Sequence, residues 1–332
     1  MAGIKALRKI QVGVETTAGT AVAATSIWRG MGTIEDTRTT TFVEEDIGIL
    51  GGADRSYVPM LGASLSLAST PATFEQLPVI CEMAILTATP TQDGSGSGYL
   101  YQYTEATTAA PTIKTRTIEG GDNEAVEEME YCYVESLTID GSAGEACNMS
   151  AEVRGRQVST SAFTTTATLP TVEEIKASKG KLYIDAIDGT IGSTQISNTL
   201  LKFTLNWATG LIAVPTLDGN LYFTFVKKTA PEITLDLTFE HDSSSVAQKA
   251  AWRAETPKLV RLQFEGTTLT TAGTSYTYKT LNIDLAGKWD TFSALGDQDG
   301  NNIVTGTFRA RYNSTAAFFA ELLIVNELTA LP

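Results

Sequence analysis

Ile233-Thr-Leu-Asp-Leu-Thr-Phe239 alternates apolar and polar side chains without a break. A strand sends successive side chains to opposite faces, so this stretch has one face for a core and one for water. The same period of two runs through Ala63-Ser-Leu-Ser-Leu-Ala68, Val134-Glu-Ser-Leu-Thr-Ile-Asp140, Leu201-Lys-Phe-Thr-Leu-Asn-Trp207, Leu221-Tyr-Phe-Thr-Phe225 and Leu281-Asn-Ile-Asp-Leu285. Fifty threonines among 332 residues add a β-branched bias. The predicted class is mainly β.

Two segments break the rhythm. Over residues 71–86, Pro71 suits a first helical turn and Phe74, Leu77, Ile80 or Cys81, and Ala84 share a face, with Pro78 distorting the middle. Over residues 244–255, Asp242, Ser243 or Ser244 can cap a second helix, Val246, Ala250 and Arg253 share a face, and Pro257 stops it. Each predicted helix follows an alternating strand that follows a long hairpin, at residues 34–58 and 200–226. After each come a short strand (Tyr99 to Tyr103; Leu259 to Phe264) and a longer one ending at Ile139-Asp140 or Ile283-Asp284. This order predicts a duplication, with domains at 1–168 and 169–332 joined through the Thr- and Ser-rich residues 159–170.

The chain carries 38 acids and 24 bases, a net charge of −14. Residues 1–168 hold 21 acids and 10 bases (−11), and residues 169–332 hold 17 and 14 (−3). Such a balance argues against a protein that grips phosphate backbones. No apolar run approaches the ~18 residues of a membrane helix, and the amino terminus shows no secretory apolar region, so the chain is expected to stay where it is made. Cys81, Cys132 and Cys147 form no CxxC pair. Cys132 and Cys147 either meet across a hairpin or stay as buried free thiols, the reading that a reducing compartment favours.

The catalytic inventory is thin. His241 is the single histidine, in a sequence that reads as a helix start, and no nucleophile elbow, phosphate-binding loop or dinucleotide fingerprint is present. Gly94-Ser-Gly-Ser-Gly98 reads as a flexible turn. Asp297-Gln-Asp-Gly-Asn-Asn302 opens like a calcium loop, but its twelfth position is Phe308, so a β-turn is expected. Residues 119–135 hold seven acids and no base and read as a solvated loop. The expectation is a non-enzyme with no cofactor and no metal.

Three stretches carry a family likeness: Ile10-Gln-Val-Gly-Val-Glu-Thr-Thr-Ala-Gly-Thr-Ala-Val-Ala-Ala-Thr25, the segment 131–157 with Val134-Glu-Ser-Leu-Thr-Ile-Asp-Gly141 and Val153-Arg-Gly-Arg156, and Tyr312-Asn-Ser314 through Val325-Asn326. Together with the order of elements, the chain resembles the tail tube proteins (major tail proteins) of long-tailed bacteriophages. The resemblance implies a β-sandwich that contributes strands to a ring-shaped barrel, and with the internal repeat it gives duplicated tube-type β-sandwich domains, each with one α-helix. It also implies rings stacked into an acidic channel for DNA in a virion tail assembled in the host cytoplasm. The implied partners are further copies of the chain, the tail terminator, tape measure and distal tail proteins, and passing DNA; the repeat favours three chains in a ring of pseudo-sixfold symmetry, with a hexamer as the alternative.

On this reading Glu44, Glu45 and Asp46 are the first candidates to line the channel, with residues 119–130 as the alternative. Ile47, Ile49 and Leu50 beside them form an exposed apolar hairpin tip that needs a partner. The stretch before Trp28 is expected to be an arm that orders on a neighbour. Two other classes stay open: a different β-sandwich virion protein, such as a capsid decoration protein or adhesin, and a carbohydrate-active enzyme using paired carboxylates.

Overall fold

A computed structural model describes residues 2–332. The chain is mainly β, with antiparallel sheets and two α-helices. Its first half begins with β1 (Lys9–Val14), β2 (Ser26–Ile27) and β3 (Gly32–Asp36). A hairpin extension of β4 (Thr41–Phe42) and β5 (Ser56–Tyr57) leads back through β6 (Ala63–Pro71) to helix α1 (Leu77–Ala84). β7 (Thr91–Gln92), β8 (Tyr99–Thr104), β9 (Arg116–Gly121), β10 (Val126–Ser142), β11 (Asn148–Gly155) and β12 (Val158–Ser161) complete it.

The second half begins with β13 (Gly180–Ala186), β14 (Gln195–Ile196) and β15 (Leu200–Ala208). Its hairpin extension is β16 (Leu211–Val214) and β17 (Phe225–Lys228), followed by β18 (Glu232–Glu240) and helix α2 (Ser243–Arg253). β19 (Lys258–Thr268), β20 (Tyr278–Phe292), β21 (Gly296–Gln298), β22 (Asn301–Ala310) and β23 (Ala320–Asn326) close the chain.

One set of pairings occurs twice. In the first half β1 pairs β2 and β9; β10 pairs β9, β11 and β12; β6 pairs β3 and β11; and β4 pairs β5. In the second, β13 pairs β14 and β19; β20 pairs β19, β22 and β23; β18 pairs β15 and β22; and β16 pairs β17. Both long strands carry a bulge where they leave one set of partners for the next, between Val134 and Ser136 and between Trp289 and Thr291. An extra residue there sharpens the local twist and lets one strand serve two layers. The places of Tyr99–Thr104 and of Ile139 differ from the sequence expectation. β8 pairs across to β23, and the match of β10 to β20 runs through the bulges rather than through Ile139 and Ile283.

β10 also pairs β15, from Ser136 opposite Ala208 to Ser142 opposite Lys202, which joins the halves. The long sheet therefore runs β3-β6-β11-β10-β15-β18-β22-β20, antiparallel throughout. The pairings branch but never return to their start, so the sheet is open. One hydrophobic cluster underlies it, with Leu65, Val134, Leu137, Ile139 and Val153 from the first half beside Leu205, Trp207, Leu235, Leu237 and Phe308 from the second.

Several local expectations are corrected. β6 extends to Pro71, and α1 starts only at Leu77, so Pro78 occupies the first turn, where its missing N–H costs nothing. α2 is capped by Asp242, whose carboxylate accepts from the Ser245 N–H at 2.9 Å. It turns Ser245 and Gln248 inward and leaves Val246 exposed. Residues 221–224 lie before the strand, which begins at Phe225. The acidic residues 119–135 are largely strand, with Glu119 and Glu130 buried. β1 pairs β2 and β9 of its own chain, so the stretch before Trp28 is folded in place, Ile10 and Val12 joining the core. Gly300 has φ 86° in the turn joining β21 to β22, the β-turn expected there. No helix among the described residues is long and apolar enough to cross a membrane.

Candidate assembly interface

Alternation gives the long sheet one face packed on the core and one that is polar. From β3 to β18 the outer face carries Ser, Thr, Asn, Ala and charged residues and no large apolar side chain. Its charges in the first half are Glu35, Glu135, Asp140 and Glu152 against Arg154 (−4 and +1). In the second half, continuing across β22 to β20, they are Glu232, Asp236, Glu240 and Asp290 against Lys202, Lys288 and Arg309 (−4 and +3), and Ile303 of β22 adds an apolar side chain to this face. The face is acidic overall and more so in the first half.

Each bulge carries an acid held by an arginine of the neighbouring strand. Arg154 Nε donates to Glu135 Oε2 at 2.9 Å. Arg309 Nε donates to Asp290 Oδ2 at 3.0 Å, and Arg309 Nη1 reaches Glu232 Oε1 at 2.6 Å. Both arginines are held above the usual guanidinium range, chiefly by these hydrogen bonds.

The two outer edges of the sheet are unpaired among the described residues. β3 pairs with no strand but β6, and from Lys288 onward β20 pairs with no strand but β22, its Asp290 carbonyl accepting from Trp252 Nε1 of α2. Such edges are templates for another strand. The junction inside the chain shows how an edge of this kind is filled. Thr209, at the end of β15, donates its hydroxyl to the carbonyls of Val134 and Glu135, both at 2.9 Å, in the bulge of β10. Trp207 Nε1 and Lys228 Nζ both donate to the buried Glu105 carboxylate, at 3.0 and 2.9 Å. A small apolar cluster of Tyr133, Leu211 and Phe223 seals the contact.

The hairpin extensions leave the sheet at one end, because β3 and β15 run in the same direction. They touch there, the Leu61 N–H donating to the Leu221 carbonyl at 2.7 Å. Glu44, Glu45, Asp46, Ile47, Ile49 and Leu50 all lie in the loop between β4 and β5, beyond the sheet. Glu45 pairs with Arg55, and Ile47, Ile49 and Leu50 are exposed, as is Leu217 on the second hairpin. The acids of the sheet face were not among the candidates that sequence reasoning singled out. Their signal was the position of Glu135, Asp140, Asp236 and Glu240 between the inward residues of each alternating run.

All three cysteines are free and buried. Burial pushes the thiols of Cys81 and Cys132 far up and that of Cys147 up to about 12, so none is a ready thiolate. Among the described residues no group of three or more His, Cys, Asp and Glu is placed to hold a metal ion. No family model matches the chain, and no curated protein matches it.

Proposed function

We propose that this chain is a structural subunit that closes head to tail into rings, and that the rings stack into a phage-type tail tube. The observation that carries the reading is an open eight-stranded sheet with a polar, acidic outer face and an unpaired edge at each end. The recurrence of one pairing scheme in residues 1–168 and 169–332 supports a duplicated tube-type domain. The β10–β15 contact then serves as the pattern for a contact between β20 of one copy and β3 of the next.

Three copies would supply 24 strands. At about 4.8 Å per strand, such a cylinder measures about 37 Å between opposite backbones before tilt widens it. That bore passes a DNA duplex with side chains still inside. An acidic, hydroxyl-rich wall repels phosphate and holds no base or backbone in place, so nucleic acid slides past it. The exposed tips at Leu50 and Leu217 project from one end of the sheet, where the next ring would cover them. In this role the chain meets tail terminator, tape measure and distal tail proteins in a virion, and it performs no catalysis.

Sizing chromatography and negative-stain microscopy of concentrated protein test the proposal. Rings or hollow tubes are the expected result. A monomer of 35.4 kDa that persists at high concentration and cannot be seeded would overturn it.

A further inference from the structure

Val153-Arg-Gly-Arg156 ends β11, and Phe308-Arg-Ala-Arg311 ends and follows β22. An offset of 155 residues relates both these segments and the two bulges, and it pairs Arg154 with Arg309 and Arg156 with Arg311. The first two arginines have the same partner type, an acid in the bulge. The second two do not.

Arg156 grips the second hairpin extension. Its guanidinium lies 4.5 Å from the Tyr131 ring, 5.2 Å from the Tyr222 ring and 5.8 Å from the Phe223 ring. Nε donates to the Phe223 carbonyl at 3.1 Å and Nη2 to the Thr224 carbonyl at 2.6 Å. A flat cation of this kind stacks on aromatic rings and satisfies hairpin carbonyls at once.

Arg311 is exposed, and its side chain has no hydrogen bond or ion pair among the described residues. It lines a cavity of about 480 Å³ with Trp252, Lys288, Trp289 and Tyr312, beside the unpaired part of β20. Trp289 is only 4% exposed, yet its indole Nε1 has no hydrogen-bond partner. The hairpin that corresponds to residues 211–228 is the β4–β5 extension. It leaves Phe42 67% and Tyr57 55% exposed, an unusual state for aromatic side chains on a two-stranded ribbon.

We infer that Arg311 is the intermolecular counterpart of Arg156: it clamps the β4–β5 hairpin of a second copy, whose Phe42 and Tyr57 enter the cavity beside β20. Continuity with the contact already made inside the chain picks the occupant, since the same element sits in the same place one repeat earlier. Charge agrees, because Lys288, Arg309 and Arg311 line the cavity against Glu255 and Asp290, Arg309 and Asp290 being paired with each other, and Glu44, Glu45 and Asp46 follow Phe42 on the incoming hairpin. The inference rests on the ring reading and adds to it the side chains that lock each junction between copies.

Two variants prepared separately and then mixed test it. Arg311→Cys chains and Tyr57→Cys chains are combined under assembly conditions and treated with a short bismaleimide, to which the three buried native thiols stay inert. A covalent dimer only in the mixture is expected. In parallel, Arg311→Ala and the Phe42→Ala/Tyr57→Ala pair should each raise the concentration needed for assembly about tenfold or more, and their combination should add little further. Arg311→Lys should fall between, and Arg253→Ala on the surface of α2 should assemble as the native chain does. Normal assembly of the Arg311→Ala chain without the covalent dimer would overturn the clamp and leave the ring standing. Failure of the native chain to assemble would overturn both.

Discussion

The junction between β10 and β15 and the outer edge of β20 are corresponding places of the repeated pairing scheme, one filled by a further strand and the other not. At the first, the bulge carbonyl of Glu135 accepts from Thr209, Arg156 is stacked on aromatic rings, and Glu105 holds Lys228 and Trp207 in the dry. At the second, the bulge carbonyl of Asp290 accepts from Trp252 of its own helix at 3.0 Å, Arg311 points to water, and the strand has one free side. The comparison teaches that the chain holds within itself the contact that the proposed assembly would repeat between copies. What one half gives the other inside the chain, the far edge lacks, and in the proposed ring a second copy would supply it.

Breaking the filled junction should have the largest effect. Glu105→Ala strands the nearly buried Lys228 ammonium and leaves the Trp207 N–H unpaired, which should cost about 3–5 kcal/mol in urea unfolding. Thr209→Val keeps the shape but removes the hydroxyl from two carbonyls, and a loss of about 1–2 kcal/mol is expected by the same measurement. Glu135→Gln acts at an ion pair whose members are both close to half exposed, so the change should stay within about 1 kcal/mol and shrink in salt.

The smallest effect concerns Glu128 and Glu130, on the part of β10 that precedes the filled junction. Desolvation raises both carboxyls above the ordinary value. The folded state therefore takes up protons more readily than the unfolded one, and these two groups disfavour folding at neutral pH. The Glu128→Gln/Glu130→Gln chain should be more stable than the native chain at pH 7. That gain should disappear as the pH falls through the raised carboxyl range toward 4.5. A gain that grows on acidification would contradict the sign.

Much of this architecture was legible in the alternating runs. Leu205, Leu235, Leu237 and Ile139 each fell on the inward face that their period of two predicts. The helix of residues 77–84 was misjudged in extent because Pro71 suits a first turn and an edge or bulged strand equally well, and only its pairing with Asn148 decides. The acids of residues 119–135 looked solvated because charge alone does not reveal a cradle. Glu119 is buried because Thr164 and the Ala24 N–H supply its hydrogen bonds from far along the chain. The repeat was visible in the order of its elements, but its sharpest sign, Val153-Arg-Gly-Arg156 against Phe308-Arg-Ala-Arg311, gains meaning only once the two bulges align.

Image averaging of assembled rings tests the central claim most directly. Three chains per ring predict a backbone that superposes under sixfold averaging while side-chain detail at Arg156 and Arg311, or at Tyr133 and Lys288, stays sharp only under threefold averaging. Side chains that remain sharp under strict sixfold averaging, with six chains in the ring, would contradict it.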